Sequence, residues 1–412
     1  MAQHEAVKRA TATSAIFLSM IVALEVVIMI SPFAIFFYAV FNPFFLALNQ
    51  SSITRWMTAF FLPHMVVPPN EVLATVRILG SVFFVAGVLV FFVYAIQVYL
   101  GKLLKKATAT RGLYAVVRHP QYVGLALAAV GLAIMWPRFF TLVLLAVMLF
   151  LYYLLARDEE RRMLNRYGEG YRAYMTRTGM FLPRITQKPL GKSSDLERRH
   201  GIGRAAAVLL VLLVVIVGGG ILTRVYTVRH LPLEQIGSLD VITISPEDLT
   251  PARELLPDVI EDSLVASRLH SITADQNHRI LAYFIPIDYV MQGMIANTGE
   301  DWKLFERHKT FGMITDYIFH PFGHLTGGHV HDATMQKHDV SMHNNPAMKR
   351  RIIFIQVSAD SREILSPYDD LGINILRTPL FFVDVHLHTG EILQVHDTPA
   401  GSAWGTVPTP LF

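Results

Sequence analysis

The chain has 412 residues, 52% of them hydrophobic and only 17% charged, which excludes an ordinary soluble protein and leaves room for more than one domain. The net charge of +4 conceals two unlike halves: residues 1–223 carry 22 Lys and Arg against 9 Asp and Glu, and residues 224–412 carry 14 against 23. Such asymmetry points to two compartments rather than a nucleic-acid surface, and the absence of cysteine excludes disulfides, Cys-ligated zinc and covalently attached haem.

In chain order, the apolar run after Lys8 and Arg9 is too long for a signal peptide and reads as a retained anchor. Pro32 and Pro43 interrupt an uncharged stretch, so a first span is expected at about 13–40 and an interfacial segment near 42–66. A second span covers 78–101, between Arg77 and Lys102. Segments 119–137 and 139–156, separated by Trp136, Pro137 and Arg138, form a helical hairpin of two short spans. The uncharged run 205–223, between Arg204 and Arg224, is the fifth span. The expected fold is therefore an α-helical polytopic membrane domain of about five transmembrane helices, followed by a C-terminal mixed α/β extramembrane domain.

Lys and Arg in short loops set the orientation. Lys102, Lys105, Lys106 and Arg111 lie between spans two and three, and the connector 157–204 holds twelve Lys and Arg, whereas the loop around 42–70 has only Arg55. Basic loops belong in the cytoplasm. The expectation is an inner-membrane, multi-pass protein with a cytoplasmic N-terminus and residues 229–412 in the periplasm. In that outer domain, 241–244, 280–286 and 352–357 read as strands, and 251–269, capped by Thr250, as a helix. Segment 381–395 alternates around Thr389 and Gly390. Placing Val383, Val385, Leu387, Leu393 and Val395 on one face requires paired positions of equal parity, which favours a three-residue loop and puts Asp384, His386, Gln394 and His396 opposite.

Charge beside a bilayer is costly and usually functional. Arg118 and His119 stand at the mouth of span three, and Glu159 and Glu160 at the exit of span four. Closure of the hairpin brings both ends to the cytoplasmic interface and gives a pocket with cationic and anionic walls. Such walls suit a zwitterionic amino-acid-like group, with Arg for a carboxylate and Glu for an ammonium. Tyr114, Tyr122, Tyr167, Tyr171 and Tyr174 add amphipathic rings at the same level. Positive-inside anchoring with an aromatic belt would account for the same composition.

The arrangement itself goes further. Arg118-His119-Pro120-x-Tyr122-x-Gly124, then Glu159-Glu160, Leu164, Tyr167-Gly168, Tyr171 and Tyr174, ending in Phe181-Leu182-Pro183, resembles the isoprenylcysteine carboxyl methyltransferase and phospholipid methyltransferase superfamily over about 102–184. Tyr167 stands where Phe is commoner. The resemblance implies a membrane-embedded enzyme using S-adenosylmethionine without a soluble Rossmann domain. It implies further that His119, Tyr122, Gly124, Glu159 and Glu160 hold the cofactor, with Arg118 and Tyr171 close to the reacting centre. Methyl transfer from a sulfonium is an in-line displacement helped mainly by positioning, and needs a general base only when the acceptor is a protonated amine or thiol.

Two other features have bland readings. Glu25, inside span one, suits a structural ion partner such as Arg77 better than a substrate contact, and Gly218-Gly219-Gly220, with no preceding strand, suits helix packing rather than a nucleotide loop. Thirteen of the 17 histidines follow residue 224, and His320, His324, His329, His331, His338 and His343 fall within 24 residues, with Met335 and Met342. Imidazole with thioether suits copper, and imidazole with Asp332 or Asp339 suits zinc. His320, His324, His329 and His331 are the candidate ligands, although no recognised ligand spacing appears and a polar, solvent-exposed loop with ordinary hydrogen bonds is the favoured reading.

The chain thus reads as a methyltransferase-like membrane domain over 1–200, a fifth transmembrane helix over 201–228 and a His-rich α/β domain over 229–412. Its expected partner is a membrane lipid or lipophilic small molecule, not nucleic acid. The alternative is a non-catalytic subunit or assembly factor of a larger inner-membrane complex, whose outer domain docks other subunits or handles metal.

Overall fold

A computed structural model describes residues 2–40, 47–48, 51–62, 70–103, 112–184, 201–273, 278–289, 346–358, 368, 371–373 and 375–398. The chain divides into two compact units, one of 1–41, 77–136 and 141–218, the other of 42–76, 137–140 and 219–412.

Among the described residues the long helices before the first strand are α1 (Ala2–Val40), α2 (Glu71–Leu103), α3 (Pro120–Met135), α4 (Phe139–Tyr167), α5 (Glu169–Arg177) and α6 (Gly201–Val228). Four stretches among the described residues are long and apolar enough to cross a membrane: Ala23–Val40, Glu71–Gly101, Phe139–Tyr167 and Gly203–Val228. The remaining expected span is α3, whose 16 residues rise only about 24 Å. Its limits are local. Pro120 opens the helix at its first turn, and Pro137 disfavours helical backbone at Trp136, which sits at φ −124° and ψ 77°.

Helix α4 runs past the expected end near 156 because its charges support it. Asp158 pairs with Arg161 at 2.6 Å and with Arg162 at 3.1 Å, the favourable acid-before-base order along a helix. Helices α2 and α3 touch backbone to backbone through glycines two turns apart on each. A Cβ on Gly87 would sit 2.3 Å from Ala128 N, and one on Gly131 would sit 2.4 Å from Gly80 O. Small residues permit such approach where lipid supplies no hydrophobic drive. Helix α1 packs on α3. Pro32 deprives the Ile28 carbonyl of its usual amide donor, and the Ser31 hydroxyl donates to that carbonyl at 3.1 Å instead.

The second unit is built on a six-stranded sheet, β1 (Leu233–Ile236), β2 (Leu239–Thr243), β3 (His278–Pro286), β4 (Lys349–Ser358), β5 (Leu376–His386) and β6 (Ile392–Asp397), arranged in chain order. Only β2 and β3 run parallel, joined by the crossover helices α7 (Leu249–Glu261) and α8 (Ser263–Thr273). Both faces are covered, which is why β3 and β4 read as continuous apolar runs. Ala252, Leu256, Val259, Val265 and Leu269 of α7 and α8 pack on one face, against Val241, Ala282, Phe354 and Val383. On the other face, Tyr283, Ile353, Ile355 and Phe382 pack against Phe60, Leu231 and Leu371.

Three expectations need correction. The single helix 251–269 is two helices, because Asp262 leaves helical geometry and its carboxylate caps a new start, accepting from Leu264 N at 2.9 Å and Val265 N at 3.3 Å. Thr250 lies within α7 rather than capping it. Strand β1 escaped the sequence reading because it has only four residues; the turn to β2 uses Gly237 at φ +60°.

The β5–β6 hairpin keeps equal parity at Val383↔Val395 and Asp384↔Gln394, but its loop has four residues, and a register shift then pairs Val385 with Ile392. The extra residue is Leu393, which is 41% exposed instead of facing the core.

Candidate active site

Residues 112–119 are clamped before they reach α3. Gly112, at φ +66°, lies under Tyr94 of α2, whose hydroxyl accepts from Leu113 N at 3.2 Å. Val117 then forms a parallel bridge with Gly179, with Arg118 N donating to Gly179 O at 2.8 Å and His119 N to Met180 O at 3.2 Å. The Tyr174 hydroxyl of α5 donates to Tyr114 O at 2.5 Å, tying the same two segments together. Pro120 then starts α3, so Arg118 and His119 are held by a strand-like clamp at the mouth of a helix.

Glu159 and Glu160 of α4 meet them there. Arg118 Nε donates to Glu160 Oε1 at 2.6 Å, and its Nη1 donates to the backbone carbonyls of Met175, at 3.3 Å, and Thr178. His119 sits between the two carboxylates, with Nδ1 3.3 Å from Glu159 Oε2 and Nε2 3.4 Å from Glu160 Oε1. The Tyr122 hydroxyl donates to Glu159 Oε1 at 2.6 Å. His119 stacks on Tyr122 at 5.6 Å between ring centroids, and Tyr122 stacks on Tyr152 at 4.9 Å.

His119 is 4% exposed, and burial alone would suppress its charge, yet Glu159 and Glu160 together outweigh burial and raise its pKa above the ordinary 6.5. Burial and the charge of Glu160 push the Tyr171 hydroxyl up, so it remains a protonated donor at neutral pH. Tyr114 is pushed the same way by burial and Glu159, and its hydroxyl donates to Gln121 Oε1 at 2.7 Å.

Of the residues singled out in the sequence, Arg118, His119, Tyr122, Glu159 and Glu160 come together, and Tyr171 lies on the buried side of α5 within electrostatic reach of Arg118 and Glu160. Gly124 contributes differently. It faces α2, where an added Cβ would lie 2.6 Å from Phe91 N. Glu25 and Glu159 both act electrostatically on Tyr99 of α2, which relates the intramembrane charge of α1 to this cluster. The proposed copper or zinc ligands His320, His324, His329 and His331 lie outside the described residues, and among the described residues no group of three or more metal-ligating side chains is assembled.

Sequence reasoning missed Tyr152, Gln121 and the carbonyls of Met175 and Thr178. Tyr152 had a usable signal, since it precedes Glu159 by seven residues and therefore shares a helix face with it. The carbonyls had none, because they depend on how the chain leaves α5.

Two carboxylates, one guanidinium, one imidazole and several phenols within a buried cluster can hold a zwitterion by both of its charges. Neither a curated protein nor a solved structure matches the chain. A phospholipid methyltransferase family model matches residues 95–170, a segment that contains Arg118, His119, Tyr122, Glu159 and Glu160 and stops short of the C-terminal region. Over residues 95–170 this membrane-integral chain is therefore similar to the phospholipid methyltransferase family.

Proposed function

We propose that the protein is an integral-membrane S-adenosylmethionine-dependent methyltransferase acting on a lipidic or membrane-soluble acceptor. The observation that carries this reading is the convergence of Arg118 and His119 with Glu159 and Glu160 in one buried cluster inside the family-matched segment.

The donor set fits the cofactor. Glu159 and Glu160 suit its ammonium, Arg118 suits its carboxylate, and the buried His119 lies between the two carboxylates at 3.3 Å and 3.4 Å. When bound, the cofactor supplies an electrophilic methyl group on a sulfonium. The chain's part is to hold and orient: Tyr122 fixes Glu159, the carbonyls of Met175 and Thr178 fix Arg118, and burial excludes water from the charges. Gly124 supports the site by letting α3 lie close against α2, and Tyr171 offers a protonated hydroxyl beside Arg118 and Glu160. The distribution of Lys and Arg supports placing this cluster at the cytoplasmic side of an inner membrane, and residues 229–412 in the periplasm.

Calorimetric titration of the purified full-length protein with S-adenosylmethionine tests the reading. The wild type is expected to bind, and Glu159→Ala combined with Glu160→Ala to abolish binding. Absence of binding by a folded wild type would refute the enzyme reading and return the chain to a non-catalytic role in a membrane complex.

A further inference from the structure

Arg118 and Glu160 are each 9% exposed at the side chain and His119 5%, so a ligand the size of S-adenosylmethionine comes between them only if one wall of the cluster gives way. Helix α3 is not that wall, because Gly124 and Gly131 seat its backbone against α2. Nor is α4, one continuous helix that brings Glu159 and Glu160 out of the membrane span. Helix α5 is different. It has nine residues, too few to hold a helix in water without packing. It turns Tyr171 and Met175 inward, while Glu169, Arg172, Ala173 and Arg177 are exposed. Helix α5 is thus a single layer over the charged cluster.

Both ends of α5 allow it to pivot. Gly168 N donates to Leu164 O at 2.9 Å, closing α4, and Gly168 O accepts from Arg172 N at 3.1 Å, opening α5. The change of direction falls on this one residue, at φ +53° and ψ −127°, a backbone region that glycine enters without steric cost. A Cβ built there would meet nothing within 4 Å. At the other end Thr178 is extended, at φ −118° and ψ 149°, and Gly179 N donates to Val116 O at 3.1 Å. Polar contacts fasten the stretch between. The Tyr174 hydroxyl donates to Tyr114 O at 2.5 Å, and Met175 O accepts from Arg118 Nη1 at 3.3 Å and from Arg184 Nη1 at 2.9 Å.

We infer that α5 is a lid, pivoting at Gly168 and at its Thr178 end, with the hydrogen bond from Tyr174 to Tyr114 O as its latch. It lifts to admit S-adenosylmethionine and closes Tyr171 over it. This rests on the cofactor reading of the same site. Opening precedes binding, so it sets a ceiling on the rate at which cofactor enters. Loss of the latch hydroxyl weakens the closed position and raises that ceiling. A hydroxyl that only props the fold would, when lost, lower thermal stability and leave the ceiling where it is.

The test uses full-length protein in detergent micelles, with an environment-sensitive fluorophore on Ala173→Cys, an exposed position of α5 in a chain that has no cysteine. Mixed with increasing S-adenosylmethionine in stopped flow, the label should respond at a rate that levels off. Tyr174→Phe should raise that plateau about 3- to 10-fold. Deuterium exchange of the amides of Glu169–Arg177 should be faster than in the adjoining turns of α4 and should slow when cofactor is added, which carries the test if Tyr174→Phe does not fold. A rate that rises linearly with cofactor, a plateau unmoved by Tyr174→Phe, or exchange in α5 as slow as in α4 and indifferent to cofactor overturns the lid while the cofactor site stands. A wild type that binds no S-adenosylmethionine in calorimetry overturns both.

Discussion

Arg118 and Glu160 are each 9% exposed at the side chain and lie 2.6 Å apart, so neither charge is satisfied by water. A buried pair of this kind adds little net stability compared with apolar side chains of similar size, which makes it a costly arrangement to keep without a ligand to recognise. His119 adds a pH dependence whose sign is fixed. Its folded-state pKa lies above 6.5, so its pairing with Glu159 and Glu160 stabilises fully at and below pH 6.5 and fades as pH rises through the raised value. The thermal stability of wild type over His119→Gln should accordingly be greatest in mildly acidic detergent solution and shrink in alkaline solution. A gap that grows with pH would mean the imidazole is held neutral. At this scale the sequence was informative about placement: Arg118, His119, Glu159 and Glu160 were legible because charge at a membrane boundary is expensive, and Tyr122 through the resemblance of the surrounding pattern. The clamp of 116–119 against 179–180 was not, since main-chain bonds leave no mark in side-chain pattern.

At the scale of elements, the spans follow from length and hydropathy, and their packing follows from glycine. Gly80 and Gly87 of α2 oppose Gly124 and Gly131 of α3, and an added Cβ at each meets atoms of the partner helix at 2.3–2.7 Å. Gly124→Ala should therefore reduce the yield of folded protein together with cofactor binding, as should Gly87→Ala, whereas Gly101→Ala, with nothing within 4 Å, should do neither. Size-exclusion chromatography alongside binding measures this, and a folded Gly124→Ala that loses binding alone would put Gly124 in the site itself. The sheet was read less completely. Periodicity found the cores of β2 to β6, but the four-residue hairpin loop and the bulge at Leu393 compensate for each other, so the alternation looks as it would without either. The break between α7 and α8 is likewise invisible to apolar spacing, because both helices present one continuous face to the sheet.

For the whole molecule, the charge asymmetry between residues 1–223 and 224–412 is the basis for assigning two compartments. The absence of cysteine makes this directly testable, because any introduced thiol is the only one. In intact bacterial spheroplasts, a membrane-impermeant maleimide should label Gln394→Cys and not Arg161→Cys, both side chains being exposed. Labelling of Arg161→Cys alone would invert the topology. The family match accounts for residues 95–170, and the six-stranded domain lies beyond it. The measurement that bears most directly on the function is a structure determined with S-adenosylmethionine bound. The expected result is its amino-acid end lying between Arg118 and Glu160, with their 2.6 Å contact replaced by contacts to the ligand. A cofactor bound elsewhere, with that contact intact, would contradict the assignment.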